Sequence, residues 1–356
     1  MKALPKITDF KNIAIIHTAF IGDVVLVLYL AQLIKNLHPN CKLTLLTTVV
    51  SKPIGEICTA IDETIVYDKR NAHKGITGIF SLANRLRANK IDLIISPHKS
   101  LRSTLLSYFS KAKYSVSFDK SAFSFLYSKT IEYTRKHNEI SRNIGLLNAF
   151  EIAPNSIKKP NINLKFNSEI IRKVEQMISV HQLIKDEYVV LSPGSVWNTK
   201  RWLKENFVEL IKLIENCGIK CVLTGSKDDK EVCGFIANQT NAIDLSTKTT
   251  IPETLLLIKF AKLIITNDSA PIHFAGIVNT QTVAIFGPTV QEFGFAPSGI
   301  NDIVIENKGI KCRPCGMHGH KKCPINTHIC MSSISATNVF EQIKSIICKC
   351  SENVIN

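Results

Sequence analysis

What this chain lacks narrows it first. Across its 356 residues no apolar run reaches the ~18 residues that a membrane-spanning helix needs. The longest candidate, 24–34, is broken by Gln32 and followed by Lys35. The opening MKALPKITDFKN has lysine but no apolar stretch after it, so no secretory signal is expected and a cytoplasmic location is. Low-complexity tracts are missing, and 45% apolar with 21% charged residues is an ordinary globular composition. Disorder and fibrous architecture are excluded on that ground.

Acid is also scarce. Against 44 Lys and Arg stand 29 Asp and Glu, a formal charge of +15. Such an excess implies a polyanionic partner or surface, whether nucleic acid, anionic lipid headgroups or sugar phosphates. Lysines spread over solvated faces are the plain alternative. The eleven cysteines, read in a reducing compartment, are expected as thiols or metal ligands rather than as disulfides.

What is present is a pattern. Short β-branched runs alternate with helix-length segments, and the alternation occurs twice, the mark of parallel sheets built from βαβ units. Strands are expected over 12–17, 42–47, 63–67 and 91–96, with helices near 23–37, 51–60 and 76–89. The stretch 113–160 is less regular. Pro154 and KKPNINLKF at 158–166 break the periodicity and mark a linker. Beyond it strands are expected over 188–191, 220–224, 242–245, 262–266 and 282–286, and a last helix over 336–348. The expectation is an α/β protein of two doubly wound domains, 1–160 and 161–334, with a closing helix in 335–356 that has the N-terminal domain as one place to pack.

In open parallel sheets ligands bind beyond the carboxyl ends of strands, where helix N-termini offer free N–H groups to anions. The first strand runs into HTAFIGDVV, where Gly22 allows a tight turn and Asp23 begins a helix. Asp23 fits either a helix cap or a general base taking a proton from an acceptor hydroxyl. SPGSVWNTKRW at 192–202 joins a Pro-Gly turn to hydroxyls and a Lys-Arg pair, so Lys200 and Ser195 suit a diphosphate. In LTGSKDD, Gly225 marks a turn, and Asp228 or Asp229 suits ribose hydroxyls or simply starts a helix. No GxGxxG fingerprint accompanies it. IITNDSAPIHFAG is the most specific segment: Asp268 and Ser269 end a strand, Pro271 opens a helix and His273 lies in its first turn. FGPT at 286–289 closes the same rim.

GD at 22–23, SPGSVWNTKRW, the TGS turn, NDSAPIH and FGPT, in this order and spacing, resemble glycosyltransferase family 9, the ADP-heptose:lipopolysaccharide heptosyltransferases. The resemblance runs from about residue 12 to 350. SPHKSLRS at 96–103 and HNEISRN at 137–143 also look like this family, and CRPCGMHGHKKCP resembles the branch that adds the second heptose. It implies a GT-B fold, two Rossmann-like domains facing across a cleft, with acceptor on the N-terminal side and ADP-L-glycero-D-manno-heptose on the C-terminal side. By the same analogy Asp23 is the base of an inverting transfer to the lipopolysaccharide inner core, and Gly22 beside it meets the donor. Lys200 and Ser195 meet the diphosphate, Asp229 after Gly225 the ribose, and Asp268, Ser269, Ala270 and His273 the sugar and phosphates. Ala270 stands where the family usually has Gly. His98, Lys99, Arg102 and Arg142 fall on the acceptor side. Many glycosyltransferases hold a divalent ion through DxD, but no two aspartates here are separated by one residue, so no cofactor or catalytic metal is expected. The basic excess then suggests peripheral attachment to the anionic inner face of the inner membrane.

Cys312, Cys315, Cys323 and Cys330, interleaved with His318, His320 and His328, open on a CxxC and hold enough ligands for structural zinc, or form a loop of reduced thiols. Two further readings stand beside the first. One keeps the fold with a different sugar nucleotide or glycan. The other, a basic Cys/His nucleic-acid-binding protein, leaves the anion-binding loops unexplained and lacks an aromatic-rich basic face, so no nucleic acid is expected as partner.

Overall fold

The computed structural model describes residues 4–153 and 156–348. Pro154 of the expected linker and the end of the chain from 349 lie outside the described residues. The chain divides into two compact units, Met1–Lys165 and Phe166–Asn356, five residues beyond the expected boundary.

In the first unit six parallel strands, β1 (Asn12–Ile16), β2 (Lys42–Thr47), β3 (Glu63–Val66), β4 (Leu93–Ser96), β5 (Tyr114–Phe118) and β6 (Lys129–Ile131), lie in the order β3-β2-β1-β4-β5-β6. Ile13 of the central strand pairs with Leu43 on one side and Leu93 on the other. Strands flanked by helices on both faces carry continuous apolar runs, and Ile13, Ala14, Ile15 and Ile16 are all fully buried. The helices are α1 (Ile21–Leu37), α2 (Lys52–Ile57), α3 (Gly75–Ala88), α4 (Leu101–Ser110) and α5 (Glu139–Gly145). Every residue of α1 from Val24 to Ile34 is buried, so the longest apolar run is a core helix, apolar all round. The less regular stretch contains β5, whose signal is masked by serine, and β6, a strand of three residues. Ser117, on β5, donates to the Ser96 carbonyl at 2.6 Å and shares a 2.7 Å bond with Ser121, so a buried polar residue is satisfied locally.

The second unit repeats the plan. Its strands β7 (Tyr188–Ser192), β8 (Lys220–Leu223), β9 (Ile243–Asp244), β10 (Leu263–Asn267), β11 (Thr282–Phe286) and β12 (Ile303–Glu306) are parallel and ordered β12-β11-β10-β7-β8-β9. The edge strand β12 escapes the sequence reading. Helices are α6 (Ser168–Val180), α7 (Lys204–Glu215), α8 (Lys230–Ala237), α9 (Ile251–Lys259), α10 (Ala270–Val278), α11 (Ile329–Ser332) and α12 (Ala336–Ile347). In both units the strand order reverses beside the first strand, between β1 and β4 and between β7 and β10. Those reversals open the crevices where such sheets take ligands.

Two expectations about the chain end change. The contacts of α12 are with α7, and Val339, Phe340, Ile343 and Ile347 join the core of the second unit. This packing brings Cys348, which caps α12, to Cys217 just past α7, with Cα atoms 5.4 Å apart, and the two form a disulfide. The expectation of thiols throughout therefore fails for this pair, because proximity was decided by helix packing rather than by spacing.

Candidate functional site

At the reversal in the second unit, the loop after β7 carries Pro193 to Lys200, and β10 ends in Asn267 with Asp268 next. Asn267 stitches the two together: its Oδ1 accepts from the Trp202 N–H at 3.0 Å and its Nδ2 donates to the Pro193 carbonyl at 2.7 Å. Trp202 is locked in turn by its indole N–H on the Ile334 carbonyl at 2.8 Å. On this frame Lys200 Nζ meets Asp268 Oδ2 at 2.6 Å, and the Thr289 hydroxyl donates to the same oxygen at 2.6 Å. The side chains of Lys200 and Asp268 are only 12% and 8% exposed. A cation held there is presented from a rigid, poorly hydrated wall, where its charge acts strongly on a bound anion.

The Cys/His-rich segment lies over the Lys200 turn as a strap. The Thr199 N–H donates to the His320 carbonyl at 3.1 Å, and the His320 N–H donates to the Thr199 hydroxyl at 2.7 Å. His328 Nε2 lies 3.0 Å from the Thr199 carbonyl. Arg313 ties the strap's base to the Thr289 carbonyl and to Glu306, both at 2.6 Å. Two of the cysteines have local contacts: Cys315 Sγ donates to the Cys312 carbonyl, and the His328 N–H reaches Cys323 Sγ at 3.4 Å. Among the described residues no three His, Cys, Asp or Glu side chains are grouped so as to hold a metal ion.

Helix α10 begins at this rim. Its N-cap, Ser269, makes no side-chain cap bond, whereas Thr250 and Ser335 cap their helices; Pro271 has no N–H and the Ile272 N–H donates to the Ser269 carbonyl at 3.1 Å, so it is the Ala270 N–H that keeps its capacity for an anion. Ala270 is its first residue. His273, in the first turn, is buried, and burial holds its pKa down at about 4, with Lys200 adding to the effect and Asp268 opposing it. The imidazole is therefore neutral at pH 7.

Asp229 has protein partners. Its Oδ2 accepts from the Ser226 N–H at 2.9 Å and hydroxyl at 2.7 Å, and Arg201 stands 3.7 Å from Oδ1. Its carboxylate packs so closely on Gly194 that a Cβ there would collide with it, which explains the glycine of the Pro-Gly turn. A Cβ on Gly225 would lie 2.9 Å from the Asp229 Cβ. Ser195 is buried, and its carbonyl accepts from Arg201 Nε at 2.8 Å. Asp228 is exposed.

In the first unit α1 starts at Ile21, so Gly22 lies inside the first helical turn rather than in a turn before it, and Asp23 follows. Beside β1, His17 and His98 stack with ring centroids 5.3 Å apart. His98 Nδ1 is ringed by the hydroxyls of Thr18, Ser103 and Ser100 at 3.2, 3.1 and 3.3 Å. Burial, with Lys69 and Lys99 nearby, pushes His98 down to about 4, and burial drives His17 well below its ordinary value. Lys69, which the sequence reading missed, donates to the Thr18 carbonyl at 2.6 Å, and burial together with Arg102 lowers its pKa. Lys99 Nζ sits 3.2 Å from the Tyr133 ring centroid, and its lowered pKa, caused first by burial, is partly restored by Glu139 and Asp23. Arg142 is buried beneath, bound to Glu139 at 2.7 Å, to the Tyr133 hydroxyl at 3.2 Å and to the Thr134 carbonyl at 2.9 Å. It holds the platform on which Lys99 rests. Arg102 is exposed on α4. Nothing in the spacing of Tyr133 or Glu139 signals this assembly.

The chain is 25% identical over 335 residues to a lipooligosaccharide heptosyltransferase 2 of Campylobacter jejuni, covering 92% of this chain and 96% of that one. A family 9 glycosyltransferase structure from Veillonella parvula superposes with a TM-score of 0.82 at 22% identity, covering 95% and 97% of the two chains. The structure of the Escherichia coli ADP-heptose heptosyltransferase II gives 0.76 at 20% identity, covering 94% and 98%. The two parallel-sheet units are thus those of a GT-B glycosyltransferase. With residues 79–325 matching the profile of Glycosyltransferase family 9 (heptosyltransferase), the chain belongs to that family.

Proposed function

We propose that this glycosyltransferase moves a heptose from ADP-heptose to the inner core of lipopolysaccharide. The reading is supported by relatives named for this activity and, above all, by the Lys200–Asp268–Thr289 cluster at the sheet reversal of the second unit. Lys200 and the uncapped N-terminus of α10 are the positive groups that take up charge as the diphosphate departs. Neutral His273 offers a hydrogen bond without adding charge. Asp229, beside Gly194, is the candidate for the ribose hydroxyls.

Asp23 acts as general base. The acceptor hydroxyl loses its proton to the carboxylate, its oxygen bonds to the anomeric carbon from the face opposite ADP, and the bond to the diphosphate breaks, inverting the centre. Asp23 lies near enough to Lys99 to raise that lysine's pKa. Lys99, His98, Lys69 and Arg102 provide hydrogen bonds and positive charge for the carboxylates and phosphates of the acceptor. No step calls for a metal or cofactor, since lysine and helix N-terminus carry the leaving charge. The reaction takes place on the cytoplasmic side of the inner membrane, where the sugar nucleotide is made available.

Transfer from ADP-heptose to Kdo2-lipid A and to its mono-heptosylated form, with EDTA present, tests the assignment. Asp23→Asn should lower kcat by about 10³-fold, the order typical of a lost general base, with little change in melting temperature. Retention of more than a tenth of wild-type kcat would remove Asp23 from that role, and failure on both acceptors by folded wild type would move the reading to another glycan.

A further inference from the structure

The first unit carries a surface that the transfer reaction does not use. Between Lys69 and Lys129 the chain has twelve Lys and Arg but only two acidic residues, Asp92 and Asp119. Asp92 is spent at the opposite end of the sheet, accepting from the Lys11 and Asn12 N–H groups. Most of the protein's net charge therefore originates in this one segment.

The same segment exposes large apolar side chains. Ile76 and Phe80 stand out from α3, Leu101 and Tyr108 from α4, and Phe123 and Phe125 from the loop that follows β5, with Phe125 78% exposed. They are not scattered singly. Phe80 and Phe109 stack at 4.5 Å across the α3–α4 junction, Phe109 meets Tyr108 at 5.4 Å, and Phe123 meets Phe125 at 5.7 Å. The loop is fastened to α4, where Thr104 donates to the Ala122 carbonyl at 2.7 Å and receives the Tyr127 hydroxyl at 3.3 Å. Around these rings Lys74, Arg87, Lys111 and Lys113 make no ion pair among the described residues; Arg85 pairs with Glu63 and Lys120 with Asp119.

Aromatic and aliphatic side chains rimmed by unpaired cations match the two layers of an anionic bilayer, rings entering the headgroup–acyl boundary and ammonium groups meeting phosphates. A protein partner of equal area would need a dense acidic rim and a fitted apolar socket, whereas a bilayer requires neither. No helix among the described residues is long and apolar enough to cross a membrane, so contact would be with one leaflet. We infer that the α3–α4 face with the Phe123–Phe125 loop docks on anionic phospholipid. The inference deepens the reading of the chain as a transferase for a lipid-anchored acceptor, by naming the face that meets the membrane.

The test uses the full chain and vesicles without donor or acceptor, so its failure leaves the transferase reading untouched. Sedimentation with phosphatidylglycerol vesicles at low salt should show at least tenfold more binding than with phosphatidylcholine vesicles, declining as salt screens the charges. The double variants Phe80→Ser with Phe125→Ser, and Lys74→Glu with Arg87→Glu, should each lose at least fivefold, while Val180→Ser with Ile184→Ser, exposed apolar positions of the second unit, should not. Phe125→Trp should be quenched by brominated phosphatidylglycerol. Equal binding to both vesicle types overturns the inference, as does a loss in the control pair equal to that in the test pairs. Unchanged binding in both test pairs overturns it too, and leaves the face to a protein partner.

Discussion

The two units share one strand order yet handle charge in opposite ways. In the second, Lys200 is neutralised at 2.6 Å by Asp268, which also holds Thr289, and the group is nearly buried. In the first, Lys69 and Lys99 sit half-buried with lowered pKa values, one on a backbone carbonyl and the other over an aromatic ring, and the neighbouring histidines are held neutral by burial. Cations kept in this state gain most from an incoming carboxylate or phosphate. A duplicated scaffold can therefore present one site whose cation is pre-paired and rigid, and another whose cations await their counter-charge.

The sharpest way to break this comparison is to remove the corresponding lysines. Lys200→Met should lower kcat by about 10²-fold or more, because the departing diphosphate loses its fixed cation. It should also destabilise the fold by about 3 kcal/mol, since Asp268 is left buried with only Thr289. Lys99→Met should instead raise the acceptor KM while the melting temperature barely moves, and equal stability losses in the two variants would erase the distinction. Denaturant titration beside steady-state kinetics reads both.

Arg142→Gln comes next. It strands Glu139 and loosens Tyr133, so a loss of about 3 kcal/mol is expected together with a weakened acceptor KM, and an unchanged donor KM would place the effect in the first unit. The smallest effect is a pH dependence common to both units. His98 and His273 have folded pKa values of about 4, below the unfolded value near 6.5, so unfolding takes up protons between those limits. Stability should be fully present above pH 6.5 and fall as pH drops towards 4, the loss being on the order of 1 kcal/mol for each histidine at pH 5.5. His98→Gln and His273→Gln should each flatten the slope of stability against pH in that window, and an unaltered slope would contradict buried neutral imidazoles.

Much of this organisation is legible in the chain. The central strands announce themselves because burial on both faces demands apolar runs, and Asp268, Ser269 and Lys200 are legible because they follow such strands directly. β5 is hidden by serines that satisfy one another through the fold, and β12 by its place at the edge. Asp23, Gly22 and His273 stand out as candidates in the sequence because they follow strand ends closely. Lys69, Tyr133, Glu139 and Thr289 were not assigned, since each acquires its meaning from a partner distant in sequence.

By itself, then, the sequence determined two doubly wound units, the loops that bear their sites and an excess of positive charge, because periodicity, turn chemistry and composition act over a few residues. Tertiary structure alone decided that Lys200 is paired with Asp268 and strapped down through Thr199, that Arg142 supports Lys99 rather than standing free, that Cys217 meets Cys348, and that cations and aromatics gather on one face. The reason is physical: those outcomes depend on distances between segments tens to more than a hundred residues apart, which are set only when both sheets and their helices have packed.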